Sequence, residues 1–131
     1  MTVKNLLRVT AVLEGGMALA FLLLPVLSSM LLFGQTPNTS LALILGRFVG
    51  AVLLSLSLAC WWAANDAGSP AASGVVKTML FYDVIAIVLL VHARVNLGLS
   101  GIVLWPGVIV HVALAAWCVA GLQGGRAPST R

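Results

Sequence analysis

Long apolar runs separated by short polar segments dominate the chain. Four of them reach membrane-spanning length, at about residues 6–33, 41–64, 75–93 and 101–122. A helix needs about 20 consecutive apolar residues to cross the hydrocarbon core of a bilayer. The pattern therefore predicts an all-α, polytopic membrane protein, a four-helix bundle that forms a single domain over residues 1–131.

Two residues stand out in the first apolar run. Pro25 cannot donate a backbone hydrogen bond, which predicts a bend or break in the helix near Leu22. Glu14 places a carboxylate at bilayer depth, where an ionisable group is costly and normally faces other protein or water. The sequence therefore predicts a polar partner or a function for Glu14.

The composition supports a membrane location and excludes a nucleic-acid partner. The chain is 61% hydrophobic and only 8% charged, which leaves little material for a soluble domain. Its net charge of +4 comes from scattered basic residues that form no patch. Their distribution predicts that both termini are cytoplasmic. The basic residues assigned to the cytoplasmic side are Lys4, Arg8, Lys77, Arg126 and Arg131.

The cysteines and histidines do not predict a metal or a cofactor. Cys60 and Cys118 lack the spacing of a zinc site, and on the cytoplasmic side a disulfide is disfavoured. A haem with two histidine ligands needs both at one depth, whereas His92 lies nearer the outer face than His111. We therefore expect no metal and no cofactor.

Each predicted helix carries one deep polar residue. With about 1.5 Å of rise per residue, Glu14 and Asp83 both lie about 9 Å beyond a cytoplasmic-side base. Counted from the other face, Arg47 and His111 lie about 9–10 Å inward, roughly 10 Å above the two acids. Tilt or one water could bridge this gap, so the sequence predicts a buried cluster, with Tyr82 at its edge.

Several interpretations of this cluster remain open. The first is that it binds or translocates a small lipophilic or cationic molecule, or protons, with Met17, Phe21 and Tyr82 lining the pocket. The second is an intramembrane acid/base enzyme, an isomerase or an epoxide-opening enzyme, with Glu14, Asp83 and His111 as catalytic groups. In the third, Arg47 neutralises one of the acids and the cluster is purely structural, as in a subunit of a membrane complex.

The predicted partners follow from these interpretations. They are the lipid bilayer and a small lipophilic or cationic molecule. Gly46-x-x-x-Gly50 allows the close approach of another helix. A homodimer or a complex with another membrane protein therefore remains open.

Two family resemblances add to this picture. A four-helix chain of this size with Glu14 in its first helix resembles the small multidrug resistance transporters, in which such an acid exchanges protons for cationic drugs. The later helices do not align with that family, to which Arg47 and Asp83 are foreign.

The chain also resembles the DoxX-like group of small bacterial four-helix membrane proteins. The resemblance is carried by LeuLeuArg at residues 6–8, GlyArgPheValGlyAlaValLeuLeu at 46–54 and SerGlyIleValLeuTrpProGlyValIleValHis at 100–111. It covers most of the chain and implies the four-helix architecture. Some members of this group are proposed membrane partners of redox systems.

Overall fold

The structure is a computed structural model that describes residues 2–124, and all of its secondary structure is helical. Four of its helices, at residues 3–23, 40–63, 70–95 and 104–124, are each long and apolar enough to cross a bilayer. This confirms the all-α architecture with four spanning helices. The helices are α1 (Val3–Leu23), α2 (Pro25–Phe33), α3 (Ser40–Ala63), α4 (Pro70–Val95) and α5 (Leu104–Gly124), with a 3-10 turn at Ala64–Asp66 after α3.

The first predicted span is two helices rather than one. The backbone leaves the helical conformation at Leu24, with φ −130° and ψ 54°, and Pro25 begins α2. Proline suits the first position of a helix because its missing N–H has no partner to lose there. The predicted break is therefore confirmed and lies directly before Pro25. The short helix α2 then ends at Gly34, whose φ of 74° reverses the chain.

Polar caps fix where the spanning helices begin. The side chain of Thr39 accepts a hydrogen bond from the backbone N–H of Ala42 in α3, at 3.1 Å. The side chain of Ser69 accepts one from the backbone N–H of Ala72 in α4, also at 3.1 Å. Such caps satisfy donors that a helix end leaves free. Helix α4 consequently begins at Pro70, ahead of the apolar run that predicted it from residue 75.

The closest helix pairs are α1 with α3 and α4 with α5. Gly50 permits the close approach of α3 to α1, because a Cβ added at this position would lie only 2.8 Å from the carbonyl oxygen of Ala18. The hydroxyl of Ser57 also donates to the carbonyl of Ala11 at 2.7 Å across this interface. The close approach predicted from Gly46-x-x-x-Gly50 thus joins α1 to α3 within one chain.

The apolar core lies at one end of the bundle. It is built by the first halves of α1 and α4 and the second halves of α3 and α5. These side chains close that end of the molecule. Its buried members are Leu6, Leu7, Ala11, Cys60, Ala64, Ala72, Val76, Met79, Leu114 and Cys118.

A backbone latch joins the helices at the opposite end. The N–H of Ser100 donates to the carbonyl of Phe33, and the N–H of Val103 donates to that of Leu31, both at 3.0 Å. A Cβ added at Gly101 would collide with the backbone of Leu31 and Leu32. The end of α2 therefore rests directly on the segment that precedes α5, and only glycine permits this approach.

Candidate functional site

A cavity of about 1010 Å³ lies between the core and the latch. Nearly all of the side chains from α1 to α5 that line it are apolar. Its polar groups from the spanning helices are Glu14, Tyr82 and His111, which lie toward the core. Such a shape, an apolar chamber with a few convergent polar groups, is typical of small-molecule sites.

Glu14 reaches the interior because of the face of α1 on which it stands. It follows the buried residues Leu7, Thr10 and Ala11 at helical spacing and precedes Ala18, so its side chain is only 4% exposed. Its carboxylate accepts a hydrogen bond from the Tyr82 hydroxyl, with 3.2 Å between the oxygens. This contact connects α1 to α4 across the bundle.

Asp83 and His111 form a second hydrogen-bonding contact in the site. The Nδ1 atom of His111 lies 2.8 Å from Oδ1 of Asp83, which is fully buried. The Tyr82 ring meets the His111 ring edge to face, with centroids 5.5 Å apart and an interplanar angle of 78°. The adjacent residues Tyr82 and Asp83 thus hold α1 and α5 in one network.

This geometry supports proton transfer. When Nδ1 of His111 carries its proton, Asp83 accepts that hydrogen bond and fixes the ring, and Nε2 remains as a base. A histidine in this arrangement can take up or release a proton, and the adjacent Glu14 can bind positive charge or share a proton. The four polar side chains therefore offer both acid/base and charge-binding chemistry.

Arg47 does not join this cluster. It is exposed on α3, one position after Gly46, while Gly50, Leu53 and Ser57 supply the inward face of that helix. Among residues 2–124, no lysine or arginine side chain lies within salt-bridge distance of a carboxylate, and the contact of Asp83 is with His111. The side chain that meets Asp83 is therefore His111, at hydrogen-bonding distance, instead of the Arg47 that the sequence suggested.

The other predicted lining residues have distinct places. Phe21 is buried and Met17 is half-buried, and both line the cavity on the α1 side. Tyr82, which the sequence placed at the edge, instead lies between Glu14 and His111. Sequence reasoning missed Ser57, which holds the α1 backbone close to Glu14. Its position on the face that includes Gly50, Leu53 and Cys60 was the available signal.

The acids and the histidine are also close enough to share an ion. One potential ligand atom from each of Glu14, Asp83 and His111 lies within 4.8 Å of the others. The three residues stand on separate helices and have no characteristic spacing, so no sequence motif indicates a shared site. Their convergence is visible only in the folded chain.

Comparison with known proteins provides no relative from which a function can be transferred. No protein-family model matches the chain, and no curated protein or solved structure matches it.

Proposed function

We propose that this protein is an integral membrane protein that binds a small lipophilic molecule in the central cavity. The observation that carries the proposal is the cavity itself, which has a volume of about 1010 Å³ and is lined mostly by apolar side chains. Glu14, Tyr82 and His111 line it toward the core. Three polar residues of the loop after α2 also line it, namely Gln35, Thr36 and Asn38. An apolar body would fill the chamber, and a polar end would meet Glu14, Tyr82 and His111.

Access from the bilayer is consistent with the cavity walls. Phe48 and Val52 on α3 and Leu89 on α4 line the cavity, yet their exposed fractions are 66%, 60% and 59%. Helices α3 and α4 also contact each other far less than α1 and α3 do. A molecule dissolved in the hydrocarbon core could therefore enter between α3 and α4 without crossing water.

The closed core favours binding over a continuous pathway. Leu6, Leu7 and Met79 are at most 1% exposed and lie between the cluster and the end of the bundle formed by the start of α1. Transport across the membrane would require a second conformation in which this end opens. Binding requires only the arrangement described above.

The charges of the site favour a polar end that carries positive charge. Glu14 and Asp83 supply two carboxylates, whereas His111 is the single group of the cluster that can become cationic. A buried negative charge without a partner is costly. An amine on the lipophilic molecule would lie against Glu14 and supply the missing charge.

A matched pair of probes tests this proposal. Adamantanamine and adamantanol share one apolar skeleton, and ligand binding raises the unfolding temperature of the protein in detergent. We expect Glu14→Gln to weaken binding of the amine about tenfold or more, because a charge-assisted hydrogen bond contributes ~1.5–3 kcal/mol. Binding of the alcohol should change far less.

Asp66→Asn is the control for this experiment, since it removes an equal charge from an exposed position in the 3-10 turn. It should leave both probes bound as in the wild type. Equal amine binding by the Glu14→Gln protein and the wild type would remove Glu14 from the site.

An acid/base enzyme is the second candidate, and the 2.8 Å contact between His111 and Asp83 favours it. Here His111 moves a proton on a lipophilic substrate while Glu14 and Tyr82 hold its polar end. Incubating the wild-type protein with a membrane lipid extract should consume one species that His111→Gln leaves intact. The extracts are compared by chromatography coupled to mass spectrometry, because an isomerase changes no mass. Identical chromatograms and spectra would exclude turnover of any membrane-dissolved substrate in that extract.

We also propose that the core end of the bundle faces the cytoplasm of a bacterial cell. Lys4 and Arg8 on α1 and Lys77 on α4 lie at that end and are exposed, as basic residues on the cytoplasmic side are expected to be. Arg126 and Arg131, which entered the same prediction, lie outside the described residues.

A further inference from the structure

One carboxylate oxygen of the polar cluster is buried without a hydrogen-bond partner in the described part of the chain. Oδ2 of Asp83 is fully buried and has no hydrogen-bond partner among the described residues, although Oδ1 is bound to His111. A buried carboxylate oxygen without a partner costs ~1–3 kcal/mol or more. A group with positive charge at this position would remove that cost.

The donor set is suited to a metal ion. Glu14 and Asp83 offer carboxylate oxygens and His111 offers an imidazole nitrogen, all within 4.8 Å of one another. Carboxylates and imidazole together are ligands of Zn²⁺ and related transition ions. The three residues stand on α1, α4 and α5, so one ion would join three helices.

The charges balance for a divalent ion. Two carboxylates and a neutral imidazole carry two negative charges, which one divalent ion cancels completely. A proton on His111 alone leaves one negative charge in the interior of the bundle. A divalent ion would therefore leave no net charge in the interior of the bundle, where uncompensated charge is costly.

We propose that Glu14, Asp83 and His111 bind a divalent transition-metal ion such as Zn²⁺. Bond lengths of about 2.0–2.2 Å require each side chain to move inward by on the order of 1 Å. Tyr82 already donates to Glu14 and orients that ligand, as outer hydrogen bonds do in metal sites. A fourth ligand would be a water molecule from the cavity, which Glu14 and His111 line.

This metal site does not depend on the proposed lipophile. The three ligands converge whether or not the chamber is filled, so Zn²⁺ and adamantanol should bind independently. Adamantanamine should compete with Zn²⁺, because each brings positive charge to Glu14. If the protein binds no metal, the lipophile proposal is therefore unaffected. If it binds no lipophile, the metal proposal is equally unaffected.

Zn²⁺ titration of the purified full-length protein tests the inference. After removal of any histidine tag and treatment with EDTA, calorimetry should show one saturable Zn²⁺ site per chain, and elemental analysis should confirm the stoichiometry. Asp83→Asn should weaken Zn²⁺ binding about 100-fold, and His111→Gln should do the same. Mg²⁺ should not replace Zn²⁺, since it prefers oxygen ligands in octahedral geometry.

His92→Asn is the matched control, because His92 is exposed at the end of α4 and contacts Asn96 instead of the cluster. It should keep the Zn²⁺ affinity of the wild type. If Asp83→Asn does not fold, His111→Gln decides the role of the cluster, and the wild-type stoichiometry decides whether a site exists. Absence of a saturable site, or equal affinity in the His111→Gln and His92→Asn proteins, would overturn the inference.

Discussion

Replacing Ala86 by tryptophan is expected to abolish lipophile binding without unfolding the protein. Ala86 is half-buried, lines the cavity and lies one turn after Tyr82 and Asp83 on α4. An indole at this position would occupy the space next to the polar cluster, where the polar end of a ligand must lie. We expect the affinity for adamantanol and adamantanamine to fall about 100-fold, equivalent to ~2.8 kcal/mol.

The control is Ala113→Trp, which adds the same side chain to an exposed position on α5 outside the cavity lining. Its indole would contact lipid or detergent, and probe binding should be unchanged. Thermal unfolding of both variants without ligand checks that the bundle remains folded. Undiminished probe binding in a folded Ala86→Trp protein would place the lipophile site elsewhere.

Gly101→Ala is expected to cause the largest loss of stability of any single methyl addition. The new Cβ would overlap the backbone of Leu31 and Leu32, and backbone atoms cannot rotate away as a side chain can. Overpacking of this kind typically costs ~1–3 kcal/mol, and we expect at least ~2 kcal/mol. Urea or heat unfolding of the detergent-solubilised protein measures it.

The matched control for the latch is Gly68→Ala, also in a connection between helices, where an added Cβ meets nothing within 4 Å. Its stability should stay within ~0.5 kcal/mol of the wild type, as is usual for surface changes. The Gly101→Ala protein should also lose part of its stabilisation by adamantanol, because the latch closes one end of the cavity. Equal stability of the two variants would contradict this account of the latch.

The spanning helices could be predicted because the bilayer imposes their length and composition. An apolar run must form a helix to satisfy its backbone in hydrocarbon, so each run between polar segments predicts one element. The break before Pro25 was equally predictable, since it follows from the covalent structure of proline. The latch was not predictable, because it joins residues far apart in sequence through backbone groups.

The cluster was only partly predictable, and the reason is geometric. Counting residues gives the depth of Glu14, Asp83 and His111, but their rotation about each helix depends on how the helices pack. Rotation turns Arg47 outward and brings Tyr82 between Glu14 and His111. The structure also places Nδ1 of His111 at 2.8 Å from Oδ1 of Asp83, although depth counting separates the two residues by roughly 10 Å.

Native mass spectrometry of the protein released gently from its own membranes tests the central claim most directly. The wild-type protein and Ala113→Trp should each carry one lipophilic molecule of defined mass per chain, and Ala86→Trp should carry none. A metal ion would add its own smaller mass and is distinguished by treatment with EDTA. A lipophile site in this cavity would be contradicted if the wild-type protein carried no such molecule. It would also be contradicted if the Ala86→Trp protein carried the same molecule as the wild type.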